Sequence, residues 1–246
     1  MQPELPVVMG HRGAPSIAPE NTLLGFTACF QAGARWTETD VCLIGDGTPV
    51  IFHDSTLDRC TDQSGSVADI DCADLSRINA NQAFPEQGFQ SIPTLRQALV
   101  HFEALGMGIN LELKRHDHVA PEALVEAVEN VFKTSDFPAG QLMLSSFDFD
   151  ALRLAREAFP TATLAVIAEN LDAAVLDIAA ELKASAVNLW WETLSFDQVR
   201  QARAKGLLVN IWTANQPEKV ASMIEWGVTS LMSDCPQLFQ AENPVV

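Results

Sequence analysis

Short apolar runs alternate along the chain with stretches whose apolar residues fall at helical spacing, and this alternation predicts the elements. Residues 5–9 read as strand 1. Asn21 or Thr22 caps a helix running to about Gln31, with Leu23, Leu24, Phe26, Ala28 and Phe30 as its apolar cover and Gly33 as its end. Residues 36–43 read as strand 2, Gly45-Asp46-Gly47 as a turn, and residues 49–52 as a short strand that delivers His53. Thr94 and Gln97 form a capping box, and Leu95, Ala98, Leu99 and Phe102 make a helical stripe that stops at Gly106. Strand 3 follows at 109–113, strand 4 at 141–145, strand 5 at 163–168, strand 6 at 186–190, strand 7 at 207–212 and strand 8 at 229–232. The intervening helices are read at 121–133, 149–159 and 171–183, then from the Ser195–Gln198 capping box to Gly206, and from Pro217 to Gly227.

Residues 54–93 break the pattern. They are rich in Asp, Ser, Gly and Asn, show no sustained period, and read as a small insertion with one short helix near 73–78. Eight strands alternating with helices predict an α/β fold: a single domain over 1–246, a (β/α)8 TIM barrel with a small insertion after strand 2. An open doubly wound sheet is the competing topology, but no glycine-rich dinucleotide loop follows strand 1.

Composition narrows the class. Hydrophobic residues make up 48% of the 246, enough for a sizeable core. Lys and Arg number 15 against 32 Asp and Glu, a net charge of −17 with a pI near 4.5. Such a chain is a poor partner for nucleic acid or anionic lipid, so any phosphate site must be built locally. Cysteines 29, 42, 60, 72 and 235 follow no metal-binding spacing and read as reduced thiols. The first residues lack the basic and apolar regions of a signal peptide, and no run of about 20 apolar residues offers a membrane span. A cytoplasmic protein without stable membrane association is expected.

The candidate chemistry gathers at strand ends, the face on which a barrel of this type builds its site. Glu38 and Asp40, spaced i, i+2 on strand 2, point to one side, and Glu112 and Lys114 repeat that spacing at the end of strand 3. Three carboxylates offer hard oxygen ligands suited to Mg²⁺ or Ca²⁺, against the alternative of solvated surface acids. His11, just past strand 1, and His53 are candidates for an acid/base pair, one deprotonating an attacking oxygen and the other protonating a departing alcohol. Arg12 and Lys114 would neutralise phosphate oxygens, with salt bridges to the same carboxylates as the alternative. Trp212 could wall a glycerol-sized pocket or pack in the core; Asn210 is similar. Glu20 is placed to orient His11 or Arg12. His116 and His118 read as solvated loop histidines, and His101 has no assigned role. Together these groups suggest phosphoryl chemistry on a diester.

With those residues placed, the sequence resembles the glycerophosphodiester phosphodiesterase family, in its short cytosolic bacterial form. The resemblance spans nearly the whole chain and rests on HRGAPSIAPENT (11–22), ETDVCLIGDGTPVIFHD (38–54), IPTL (92–95), LELK (111–114), WTAN (212–215) and SDCP (233–236). Ile44 and Ala214 stand where the family often has Thr and Val. The resemblance implies a barrel with an insertion after strand 2 and a divalent metal on Glu38, Asp40 and Glu112. It also implies acid/base roles for His11 and His53 and phosphate contact by Arg12 and Lys114. The implied reaction is hydrolysis of a small glycerophosphodiester to glycerol 3-phosphate and an alcohol. Direct attack by water and prior attack by the glycerol hydroxyl both fit, and head group, native metal and oligomeric state stay open. Competing activities are a lysophospholipase D-like phosphodiesterase, a non-catalytic phosphodiester-binding barrel, and a metal-dependent lyase or isomerase.

Overall fold

The structure, a computed structural model, describes residues 8–239, so the part of strand 1 expected at 5–7 lies outside the described residues. The strands are β1 (Val8–His11), β2 (Trp36–Leu43), β3 (Pro49–Ile51), β4 (Gly108–Leu113), β5 (Leu142–Ser146), β6 (Thr163–Ala168), β7 (Ala186–Trp190), β8 (Leu208–Trp212) and β9 (Ser230–Ser233). The helices are α1 (Leu23–Gln31), α2 (Leu95–Leu105), α3 (Pro121–Phe132), α4 (Phe149–Ala158), α5 (Ala173–Glu181), α6 (Phe196–Ala204) and α7 (Pro217–Trp226). All strands but β3 pair in parallel, in the order β1-β9-β8-β7-β6-β5-β4-β2, and β1 pairs with β2 to close the sheet. This is the (β/α)8 TIM barrel. Closure removes every sheet edge except that of β3, which lies antiparallel on β2 with Val41 opposite Ile51.

The apolar helix faces meet the outer faces of the strands, with Phe26 of α1 and Phe102 of α2 both fully buried, their ring centroids 4.6 Å apart. The inner lining changes character along the barrel axis. At the N-terminal end it is apolar: Met9, Trp36, Met143, Ala165, Ala186 and Leu208 form their own cluster. Two residues further along the strands stand Glu38, Asn110, Ser145, Asn188 and Asn210, all buried. Four residues along, Asp40 and Glu112 reach the other mouth. The period of two along each strand therefore carries a continuous polar column from mid-barrel to the C-terminal face.

The segment between β3 and α2 differs from expectation. In place of a helix near 73–78 there is a single 3₁₀ turn at Asp74–Arg77, flanked by others at Val67–Asp69 and Pro85–Gln87. Asp71 explains the shortfall. Its side chain accepts from the backbone N–H of Ala73 and Asp74, closing a local turn that competes with helix propagation. The segment buries Leu57, Val67, Leu75, Ile78 and Ala80 against Cys42, Ile44, Val50 and Phe52, a small core separate from that of the barrel. Thr22, not Asn21, caps α1: its hydroxyl accepts from Gly25 N–H at 3.0 Å. Both anticipated capping boxes are present, at Thr94–Gln97 and Ser195–Gln198. Among the described residues, no helix is long and apolar enough to cross a membrane.

Gly108 opens β4 against the Trp36 indole. A Cβ there would lie 2.2 Å from Cε2 of that ring, and both residues belong to the close-packed end of the barrel. Gly108→Ala should therefore lower stability by about 2 kcal/mol or more in urea unfolding, the overpacking cost of a core that cannot relax. An unchanged midpoint would show that the Trp36 end of the barrel yields.

Candidate active site

The polar column ends in three carboxylates. Donor oxygens of Glu38, Asp40 and Glu112 lie within 4.8 Å of one another, and all three residues are buried. Register explains the meeting: in the β2–β4 ladder Glu38 pairs with Asn110 and Asp40 with Glu112, so three inward positions on two adjacent strands carry acid. Burial, then repulsion from Asp40 and Glu112, pushes Glu38 well above the usual carboxylate range. Burial and Asp40 raise Glu112 to about 7. Burial also pushes Asp40 upward, but Arg12, His53 and Lys114 outweigh it and hold that carboxyl below its ordinary value.

The turn after β1 supplies the cation. Arg12 has φ 54°, a left-handed conformation that is costly for a side-chain-bearing residue and is held by its neighbours. Its N–H donates to Glu38 O at 2.8 Å, and its carbonyl accepts from Asn21 N–H at 2.9 Å. The guanidinium that results lies 3.3 Å from Asp40 and 3.1 Å from Glu20. Asn21, also left-handed at φ 53°, donates from Nδ2 to Asp40 Oδ2 at 3.0 Å and accepts from Thr39. Expected as a cap, Asn21 is instead a buried partner of the carboxylate trio. Of the two partners expected for Glu20, it is Arg12 that it bonds, at 3.1 Å.

Each histidine is backed by an aspartate. His11 Nδ1 lies 2.6 Å from Asp234 Oδ1, just past β9, and Asn215 donates to the other oxygen of that carboxylate at 2.7 Å. His53 Nδ1 lies 2.5 Å from Asp54 Oδ1. With each carboxylate accepting, Nδ1 carries the hydrogen and Nε2 is left for other work. His11 Nε2 points toward Glu38, 3.9 Å away. His53 reaches the site because β3 turns back along β2 and Phe52 N–H bonds to the Asp40 carbonyl at 3.1 Å. Burial lowers the His53 imidazole below its ordinary value, and Arg12 and Lys114 act in the same direction against Asp40.

These groups open into one cavity of about 220 Å³, lined by the polar His11, Arg12, Glu38, His53, Glu112 and Lys114 and by Phe147, Ile167, Trp212 and Met232 together with Asn188. Seven of the eight expected site residues line it, and the eighth, Asp40, joins them through the acidic trio with Glu38 and Glu112. Lys114 Nζ donates to Glu112 at 2.9 Å and sits 5.7 Å from the Phe147 ring centre. Trp212 meets Phe147 edge-on at 5.7 Å, its indole N–H bonded to the Asn188 carbonyl at 3.2 Å. Asn210 is fully buried beneath, donating to Asn188. His116 and His118 stack on the loop after β4 at 6.1 Å and form no ligand group of three with other side chains among the described residues. His101 bonds to Thr27 across α1 and α2, away from the cavity.

Sequence reasoning passed over Asp234, Asp54, Arg59 and Phe147. The two aspartates stood inside quoted motifs, and their adjacency to a histidine or to a strand end was the available signal. Arg59 and Phe147 carried none.

Three buried acids side by side oppose folding unless charge is cancelled. With divalent cations removed, Glu38→Gln should raise stability by about 1 kcal/mol. The sign follows from Glu112: its folded value of about 7 lies above the unfolded 4.5, so its contribution is present at low pH and lost as pH rises through that window. The gain should thus be larger at pH 8 than at pH 5 in thermal melts, and a loss at both would contradict the crowding argument.

Residues 11–238 match the glycerophosphoryl diester phosphodiesterase family. The glycerophosphodiester phosphodiesterase of Bacillus subtilis is 28% identical over 97% of this chain and 87% of its own. An Oleispira antarctica phosphodiesterase, solved in complex with the product sn-glycerol-3-phosphate, superposes with a TM-score of 0.91 at 33% identity, covering 96% of both chains. A Thermotoga maritima glycerophosphodiester phosphodiesterase gives 0.73 at 26% identity over 95% of this chain and 96% of that one. With the family matched across nearly all the described residues and the barrel shared with its solved members, the chain belongs to the glycerophosphoryl diester phosphodiesterase family.

Proposed function

We infer that this protein is a glycerophosphodiester phosphodiesterase, hydrolysing a small glycerophosphodiester to glycerol 3-phosphate and an alcohol. The observation that carries the reading is the cavity and the acidic trio at its wall: three clustered buried carboxylates and two cations stand with two histidines, each backed by an aspartate. Its size suits a small diester, and the sn-glycerol-3-phosphate held by the Oleispira antarctica relative supports that substrate class.

Glu38, Asp40 and Glu112 fit a divalent cation, Mg²⁺ or Ca²⁺. The donors are all hard oxygens, and Asp40 Oδ1 is buried without a hydrogen-bond partner, an orphan acceptor that a cation would satisfy. Bound there, such an ion would neutralise negative charge on a phosphate oxygen. Arg12 offers a planar guanidinium to the phosphate, and Lys114 a point charge. Trp212 and Phe147 form the apolar wall against the carbon skeleton of glycerol.

His11 and His53 are the acid/base pair. A neutral Nε2 on one ring takes the proton of the attacking oxygen as it bonds to phosphorus, and the other ring, protonated, gives its proton to the alcohol oxygen as its P–O bond breaks. Water attacking gives glycerol 3-phosphate directly, and the glycerol hydroxyl attacking gives a cyclic phosphate that water then opens by the same transfers. Asp234 and Asp54 keep the rings in place and stabilise each imidazolium as it forms. Enclosure by aromatic and aliphatic side chains strengthens every charge contact within.

The protein is read as one domain, because the small core of segment 54–93 is built on β2 and β3. Its thiols, with Cys29 and Cys42 buried, support a cytoplasmic location.

His11→Ala and His53→Ala should each lower turnover of glycerophosphocholine by roughly 10³-fold, the scale of a lost general acid or base. EDTA should abolish turnover and Mg²⁺ or Ca²⁺ restore it. Binding without turnover in the wild-type protein would favour a phosphodiester-binding barrel, and preferential cleavage of lysophosphatidylcholine would favour a lysophospholipase D.

A further inference from the structure

Arg59 lies outside the cavity, on segment 54–93, with its side chain 48% exposed. Its guanidinium forks onto two carboxylates at once. Nε and Nη2 donate to Asp54 Oδ2 and Oδ1 at 2.6 and 2.9 Å. Nη1 and Nη2 donate to Glu20 Oε2 and Oε1 at 2.7 and 2.8 Å. Each of these carboxylates has a second partner inside the site. Asp54 Oδ1 holds His53 Nδ1 at 2.5 Å, and Glu20 Oε1 accepts from Arg12 Nη1 at 3.1 Å.

An ion pair at this exposure adds little to stability, so stability is a weak reason for so ordered an arrangement. Geometry is a better one. A planar fork fixes the plane of each carboxylate it grips, which a lysine ammonium cannot do. Without that cation, Glu20 and Asp54 would face each other as like charges and rotate apart. A further bond ties the same two regions together: Gln87 Nε2 donates to the Ile17 carbonyl at 2.9 Å.

We propose that Arg59 is a positioning residue for the reaction: through Asp54 it sets the His53 ring, and through Glu20 it sets the Arg12 guanidinium, so that segment 54–93 aligns one histidine and one cation of the catalytic cavity. This rests on the reading of His53 as an acid/base group and Arg12 as a phosphate contact. Arg59 itself touches neither substrate nor metal. A misplacement of about 1 Å at such groups costs up to about 100-fold in rate, which sets the scale of the effect.

The test is turnover of glycerophosphocholine by Arg59→Ala and Arg59→Lys, with melting temperatures and ¹⁵N NMR of the His53 imidazole. Arg59→Ala should lower kcat and raise KM, for a combined loss of roughly 30-fold, while its melting temperature stays within a few degrees of wild type. Arg59→Lys should recover only part, because charge returns without the double fork, and free guanidinium ion should partly rescue Arg59→Ala. On an Asp54→Asn background, removing Arg59 should cost less than alone, since the link to His53 is already cut while that through Glu20 to Arg12 remains. The imidazole should change from one tautomer, protonated on Nδ1, to a mixture. A kcat/KM within twofold of wild type, full recovery by Lys, or an unchanged His53 tautomer would each overturn the proposal. Should Arg59→Ala fail to fold, Arg59→Lys decides by the same criteria. If the wild-type protein cleaves no glycerophosphodiester, the proposed function falls, and the tautomer measurement alone then decides the role of Arg59.

Discussion

Everything at the C-terminal face answers to the crowding of Glu38, Asp40 and Glu112. Strand register forces the three together, and burial denies them water. Their neighbours can be read as the means of containing that charge: Arg12 and Lys114 as cations, Asn21 as a donor, and the two left-handed residues Arg12 and Asn21 as the backbone cost of bringing them close. An oxygen cage of this kind is a poor element of stability, since the repulsion among its buried carboxylates is relieved only by positive charge or by protons.

A second constraint explains why so acidic a protein can serve an anionic substrate. Long-range attraction is ruled out by a net charge of −17, so the favourable field must be confined to the cavity. Arg12 and Lys114 sit at its wall, and an apolar half of Phe147, Ile167, Trp212 and Met232 keeps the local dielectric low. Recognition is thus short-ranged, which suits a small molecule better than a charged surface.

Much of this was legible in the chain, for local reasons. The i, i+2 spacings of Glu38–Asp40 and Glu112–Lys114 need only the pleat of a strand, and the capping boxes at Thr94 and Ser195 need only one turn of backbone. What stayed hidden depends on closure. Asp234 backs His11 across 223 residues, a pairing created when β9 meets β1. Asn21 resembles a cap in sequence, and only the turn at Arg12 aims it at Asp40 instead. The helix expected near residues 73–78 failed for the opposite reason: Asp71 satisfied the backbone locally before a longer helix could form.

The small core beneath segment 54–93 separates two kinds of integrity. His53 is carried by a flap whose apolar contacts, from Leu57 to Ile92, are largely distinct from those that hold the barrel closed. Opening that flap would uncover the backbone of β3 and carry His53 away from the cavity while the eight parallel strands remained paired. Sub-global fluctuation of this one patch, rather than melting of the whole, would then set how long the protein stays competent under mild stress.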